Sequence, residues 1–374
     1  MRTYGHGPTR TGRFGDFGGR YAAESQIGFL QDLTDVFHQA ICDVHFWSDF
    51  WELVPSRPTP LQYAAGLTRL GGGAAIWLKW EDLRAFGSQN AYNLVGQALL
   101  ARRMGRTEII TECGSAKHGI ACAKICSRLE LECTVFVGRR DARRQQEAMD
   151  EMARLGASVR MVDSGGRTLR AAVSAALHAA SERFATAYYL PSGPIGPHPY
   201  PLICYTFQSF VGDELLSQLG AAWGSLPDMI VAPTGGNAAG LGLFAPFVAN
   251  PSVVLVGVES AGAPVISQGS RGVFHGMCTK VLQDPHGQIQ PSHSTCPDLN
   301  YPGVEDTVAR GVDMLREQEG IAAGLDTGLA VEEILQRAHK LGRHQNVILL
   351  VTGRDPIDHG LMKEGEEAGD GRWA

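Results

Sequence analysis

The chain has 374 residues, a formal net charge of −6 and 44% hydrophobic residues. That length is enough for two domains with full cores. A mildly acidic chain with no basic run argues against nucleic acid or an anionic membrane as partner. No apolar run is long enough to span a bilayer, and the opening stretch MRTYGHGPTRTGRFGDFGG lacks the apolar core of a signal peptide.

From residue 74 onward, strand and helix signals alternate. AAIWLKW reads as a strand, and NAYNLVGQALLARRMG as a helix stopped by a glycine. EII, HGIACAKICSRLEL, CTVFVG, DARRQQEAMDEMARLGA, SVRMV and TLRAAVSAALHAASER continue the strand–helix rhythm. A proline-rich break, LPSGPIGPHPYPLI, follows. The rhythm then resumes with DMIVAP, the predicted helix GGNAAGLGLFAPFV, VVLVGVES, AVEEILQRAHKLG and NVILLVTGRD. This order predicts an α/β chain with parallel sheets and crossover helices. We expect an N-terminal domain from 1–55 plus 89–205, with a movable region at about 105–190, and a C-terminal domain from 56–88 plus 206–374. Ligands of such sheets sit at the carboxyl ends of strands, so the active site is expected in the cleft between the domains.

The eight cysteines (Cys42, Cys113, Cys122, Cys126, Cys133, Cys204, Cys278 and Cys296) form no CxxC pair and no metal spacing along the sequence. They read as reduced, mostly buried thiols of a cytoplasmic protein, with no metal. Phe46, Trp47 and Trp51 read as core.

The stretches RFGDFGGRY, SRPTPLQYA, WLKWEDL, GQALLARRMGRTEIITECGSAKHGIACA, GPHPYP, GGNAAG, VGVES and LLVTGRD occur in this order along most of the chain. Together they resemble the tryptophan synthase β-subunit family, a fold-type-II pyridoxal-phosphate enzyme. The resemblance implies two three-layer α/β domains, a homodimer and a cofactor-loaded cleft. Several of the implied site residues depart from the family pattern. Where the family reads Gly-Ala-His-Lys, with the lysine holding the cofactor, this chain has Gly87, Ser88, Gln89 and Asn90. An amide nitrogen is delocalised into its carbonyl and is no nucleophile. As a structural element the Gln89–Asn90 pair would simply cap a helix. The phosphate loop is reduced to Pro233, Thr234, Gly235, Gly236 and Asn237, whose amides can still hold an anion. Asn300 stands where the family has an aspartate that works on the amino-acid substrate. Asp326 matches a glutamate near the cofactor ring, and Thr352 a serine at its ring nitrogen. The segment Glu305 to Gly320 reads as shortened, with an element deleted, which argues against docking of an α-subunit.

Other positions keep the family pattern. Glu112 matches the glutamate that engages indole, and burial is expected to raise its pKa toward neutrality. Cys113, Gly114, Ser115, Ala116, Lys117 and His118 match the turn that binds a substrate carboxylate. Lys117 adds a positive charge there, or is a solvated surface lysine. His198 lies near the cleft by analogy, and as a turn residue it reads as packed. The favoured expectation is a cofactor-independent enzyme of specialised metabolism. It would join an indole substrate, L-tryptophan first, to an aldehyde (phosphorylated if the 233–237 loop holds phosphate) by Pictet–Spengler cyclisation to a β-carboline, with Glu112 as acid and base. Two alternatives are an inactive homologue that binds indole or an amino acid and regulates a partner, and a lyase with non-covalently bound pyridoxal phosphate.

Overall fold

The structure, a computed structural model, describes residues 8–55, 57–81, 85–234, 238–290, 292, 306–321 and 323–352. Two α/β sheets organise it. The first is four-stranded and parallel, in the order Ser158–Val162, Glu132–Gly138, Glu108–Cys113, Ala187–Tyr189. The second has five strands, in the order Val254–Val258, Met229–Pro233, Asn346–Val351, Ala75–Trp80, Leu61–Tyr63, with only the last pair antiparallel. A small antiparallel sheet joins Arg13–Phe14 and Phe17–Gly18 to the hairpin Ser270–Phe274 and Met277–Val281. The predicted α/β class is thus the observed one.

Interior parallel strands are covered on both faces and read as continuous apolar runs. Glu108–Cys113 and Asn346–Val351 show this, since nearly every residue in them is buried. The helix Ala91–Arg103 is buried from Ala91 to Ala101 and emerges only at Arg102 and Arg103. Cations suit its C-terminal carbonyls, and Gly105, at φ +68°, turns the chain away. Gly96 lets this helix meet Tyr200–Gln208 at close range, because a Cβ there would lie 2.3 Å from the Phe207 ring. Phe46, Phe50 and Phe207 form the aromatic core beside it, with Trp47 and Trp51 packed against them.

The two α/β layers are tied by a buried polar knot. Lys79, on the strand Ala75–Trp80, donates to Thr59 O (3.0 Å), Thr59 Oγ1 (2.6 Å), Gln218 Oε1 (2.8 Å) and Glu214. Glu214, on the helix Phe210–Ala222, also accepts from Tyr92 Oη at 3.0 Å. Every donor of the ammonium is directed, which a fully buried charge requires.

Several elements differ from expectation. The helix expected over 141–157 is two helices, Arg139–Arg143 and Gln146–Arg154. Gln145 leaves helical geometry at φ −134° because its side chain reaches back to Gly114 O (3.0 Å) and Ala116 N (2.8 Å). Of the helix expected over 235–248, the described residues are α-helical at Ala239–Phe244 and tighten to a 3₁₀ turn at Ala245–Phe247, where Pro246 offers no N–H. The strand read as EII runs on to Cys113, so Glu112 is a strand residue. Among the described residues no helix is long and apolar enough to cross a membrane.

Replacing Glu214 by leucine removes the carboxylate bonded directly to the buried Lys79 ammonium and leaves Glu81, at 3.9 Å, as its remaining counter-charge. We expect a loss of about 3 kcal/mol, measured by urea denaturation, part of which the double change Lys79→Met with Glu214→Leu recovers.

Candidate functional site

Glu112 sits on an interior strand, in register with Phe136, and its side chain is fully buried. Its Oε1 accepts two hydrogen bonds from one residue, Ser192 N and Ser192 Oγ, both at 2.9 Å. Its Oε2 is buried without a hydrogen-bond partner among the described residues. Loss of water raises the carboxyl from 4.5 to about 7, against the smaller opposing pull of Ser192 and the Tyr189 hydroxyl. Ser192 follows the short strand Ala187–Tyr189, in the proline-rich break.

The same Ser192 holds the amide turn. Asn90 Nδ2 donates to Ser192 O at 3.0 Å, and Asn90 N donates to Ser88 Oγ at 3.1 Å. Asn90 stands at the N-cap position of Ala91–Arg103, yet its side chain makes no cap bond. The capping role is therefore corrected for Asn90, because its side chain is committed to Ser192 O. Asn90 Oδ1 and Gln89 Oε1 are buried acceptors with no partner among the described residues.

The turn 113–118 leads from the Glu112 strand into the helix Ala116–Arg128. Cys113, Ser115, Ala116 and His118 are buried, and Lys117 is half-buried. The Ala116 amide and Gly114 carbonyl are both bonded to the Gln145 side chain, so that part of the turn is closed by the protein itself. The Thr111 hydroxyl donates to Leu190 O at 2.6 Å, which leaves His118 Nε2 as the donor in their 3.0 Å contact. Burial holds His118 neutral, with its pKa down to about 4.

His198 is packed in a turn: its carbonyl accepts from Arg20 Nε at 3.1 Å, and Gly12 presses so close that a Cβ would lie 2.1 Å from the ring. Burial lowers its pKa to about 4. Thr352 donates its hydroxyl to Asp326 Oδ2 and its N–H to Thr327 Oγ1 at 2.8 Å, so these groups form a closed buried cluster. Thr234 is half-buried at the end of Met229–Pro233. Gly235, Gly236, Asn237 and Asn300 lie outside the described residues.

Two cavities flank the carboxyl's neighbours. One, of about 410 Å³, is walled by Pro194 and Ile195 of the break, Thr234, Glu259 and the hairpin residues His275 and Lys280. The other, of about 360 Å³, is walled by Tyr189, Tyr200, Leu177 and again His275. Glu112 is on neither wall; Ser192 stands two residues before Pro194, and Tyr189 belongs to the second cavity. Sequence reasoning missed Ser192, Tyr189, Gln145 and His275. The available signal was position: Tyr189 and Ser192 bracket the carboxyl end of a strand, where α/β ligands bind.

The resemblance implies pyridoxal phosphate held by an amine at residue 90. Among the described residues of this turn, position 90 offers an amide rather than an amine, and its nitrogen donates to Ser192 O.

Because the folded carboxyl holds its proton more tightly than the unfolded one, Glu112 favours folding below about pH 4.5, and this contribution fades as pH rises through 7. We expect wild type to lose about 3 kcal/mol relative to Glu112→Gln between pH 4.5 and 8, read as a converging or crossing pair of urea midpoints.

Comparison with known proteins places this geometry. Residues 54–353 match the family model described as pyridoxal-phosphate dependent enzyme. The chain is 39% identical over 376 residues to the tryptophan synthase of Saccharomyces cerevisiae, covering 92% of this chain and 53% of that protein. It therefore spans about half the length of that relative. A crystal structure of a pyridoxal 5'-phosphate-dependent aspartate racemase superposes with a TM-score of 0.59 at 17% identity, covering 86% of this chain and 95% of that one, a likeness of fold alone. The family read from the sequence is the one found: the chain belongs to the pyridoxal-phosphate dependent enzymes, with a tryptophan synthase homologue among its relatives.

Proposed function

We propose that this chain is a tryptophan synthase-like enzyme that works on L-tryptophan without a covalently bound cofactor, closing its indole ring onto an aldehyde to give a tetrahydro-β-carboline. The observation that carries this proposal is the facing arrangement around Ser192. On one side is a buried carboxyl raised to about 7, with Ser192 bonded to Oε1 and the Tyr189 hydroxyl close by. At the Ser192 carbonyl is Asn90, and its Oδ1 and the Oε1 of its chain neighbour Gln89 are buried acceptors with capacity unused among the described residues. Buried acceptors are costly unless an N–H meets them. A substrate amine supplies such donors.

The chemistry then runs on the reactants. The tryptophan amine condenses with the aldehyde and releases water, leaving an iminium carbon. The electron-rich indole carbon attacks it and forms the new C–C bond. Glu112, ionised, removes the ring proton, and the electron pair of that C–H bond restores aromaticity. Half-buried Lys117 at the helix start offers positive charge to the substrate carboxylate. A non-covalent pyridoxal-phosphate lyase is the second reading, favoured by the family match at 54–353.

Purified protein stripped of cofactor, incubated with L-tryptophan and a panel of aldehydes, is expected to form the cyclised product by mass spectrometry. The rate should rise about tenfold per pH unit below 7 and level off above it, since the base form is required. Glu112→Gln should lower kcat by about 10²–10⁴. No product with any aldehyde, or an unchanged Glu112→Gln rate, sinks the cyclisation. A rate that depends on added pyridoxal phosphate favours the lyase. Separately, Gln89→Ala should raise KM for tryptophan about tenfold while leaving inhibition by the desamino analogue, indole-3-propionate, unchanged.

A further inference from the structure

Three of the eight cysteines converge where sequence spacing gave no sign of it. Cys122 and Cys126 lie one turn apart on the helix Ala116–Arg128, and Cys133 opens the adjacent strand Glu132–Gly138. Their sulfur atoms all lie within 4.8 Å of one another, with Cys133 Sγ 4.0 Å from Cys122 Sγ. All three are buried, at 0%, 1% and 6% exposure. No histidine or carboxylate joins the group among the described residues.

That chemistry selects its ligand. Three sulfurs without oxygen or nitrogen favour a soft ion. Zinc prefers a fourth ligand, and with three thiolates it would leave a net negative charge in an apolar core, which is costly. Glu108 stands on the neighbouring strand, one register position from Cys133. Glu108 is itself held by Arg183 at 2.9 and 3.0 Å and by Thr134 at 2.8 Å, so its charge is fixed in place. A trivalent ion cancels the three thiolates.

We propose that Cys122, Cys126 and Cys133 form a three-thiol site for a trivalent thiophilic metalloid of the arsenous acid class. Three As–S bonds form as three As–O bonds break. The three thiol protons leave with the three hydroxyl groups as water. Arsenic stays trivalent, no electron is transferred, and the adduct is neutral. Binding cross-links the helix that begins at the 113–118 turn to the strand beside Glu112's own. The site is independent of the proposed reaction.

The test uses the whole, fully reduced chain, anaerobic, with arsenite. Native mass spectrometry is expected to show a gain of one arsenic less three protons, and thiol titration after denaturation the loss of three thiols. Cys42→Ala with Cys278→Ala should keep the adduct. Cys122→Ala, Cys126→Ala and Cys133→Ala together should abolish it. Should that triple variant fail to fold by circular dichroism, Cys133→Val, which keeps the apolar contact, should still drop the count of consumed thiols below three. No adduct in wild type, only two thiols consumed there, or three still consumed in Cys133→Val overturns the proposal.

Discussion

The paired hydrogen bonds from Ser192 to Glu112 are the constraint on which the site depends. A carboxyl buried at the end of an interior strand has lost its water, and the two bonds from Ser192 that replace it fall on the same oxygen, Oε1. Bonds to the charged form lower a pKa and burial raises it; here burial prevails, and the balance rests near 7. An acid held there exchanges protons in either direction at little cost in free energy. Ser192 also fixes the distance between this acid and the amide turn, because its carbonyl is the acceptor for Asn90.

The fold supplies that junction from three separate places. The strand Glu108–Cys113 carries the acid, the strand Ala187–Tyr189 delivers Ser192 beside it, and the Lys79–Glu214–Tyr92 knot holds the helix that begins after Asn90. Gln145 contributes differently. By breaking its own helix it occupies the Ala116 amide and the Gly114 carbonyl, so the start of Ala116–Arg128 is stiffened by protein. The anion-holding capacity of a helix start resides in its first unpaired amides. With one of them taken, the turn has less capacity of its own for an anion, and half-buried Lys117 is the cation on it.

The α/β class and most of the strands were legible in the sequence, because fully buried parallel strands are short apolar runs between amphipathic helices and cannot be disguised. The amide pair at 89–90 and the carboxyl at 112 were legible as residue types. What joins them was not. Ser192 lies about a hundred residues from Asn90, in a loop whose prolines and glycines signal only irregular backbone. The three-residue strand before it is too short to show a period. Gln145 sits inside a stretch of good helix formers, where local propensity argues for continuity and a tertiary hydrogen bond overrides it. The cysteine trio is invisible for the same reason: two members share a helix face at i and i+4, but the third is brought by sheet pairing.

Exchanging an ammonium for an amide at residue 90 changes the direction of hydrogen bonding as well as the reactivity. A lysine at that turn only donates. An asparagine donates through Nδ2, here to Ser192, and accepts through Oδ1, and Gln89 adds a second acceptor beside it. In the proposed reaction the turn therefore receives the amine that a lysine would have contributed. The substrate has to bring its own nitrogen nucleophile, and the carbonyl partner becomes the electrophile. An amino acid with an indole ring meets both needs in one molecule, since its amine addresses the amide oxygens while its ring reaches toward the acid on the far side of Ser192. On this view the loss of the amine and the retention of the acid are two halves of one change in chemistry, and Ser192 is the residue through which they are kept in register.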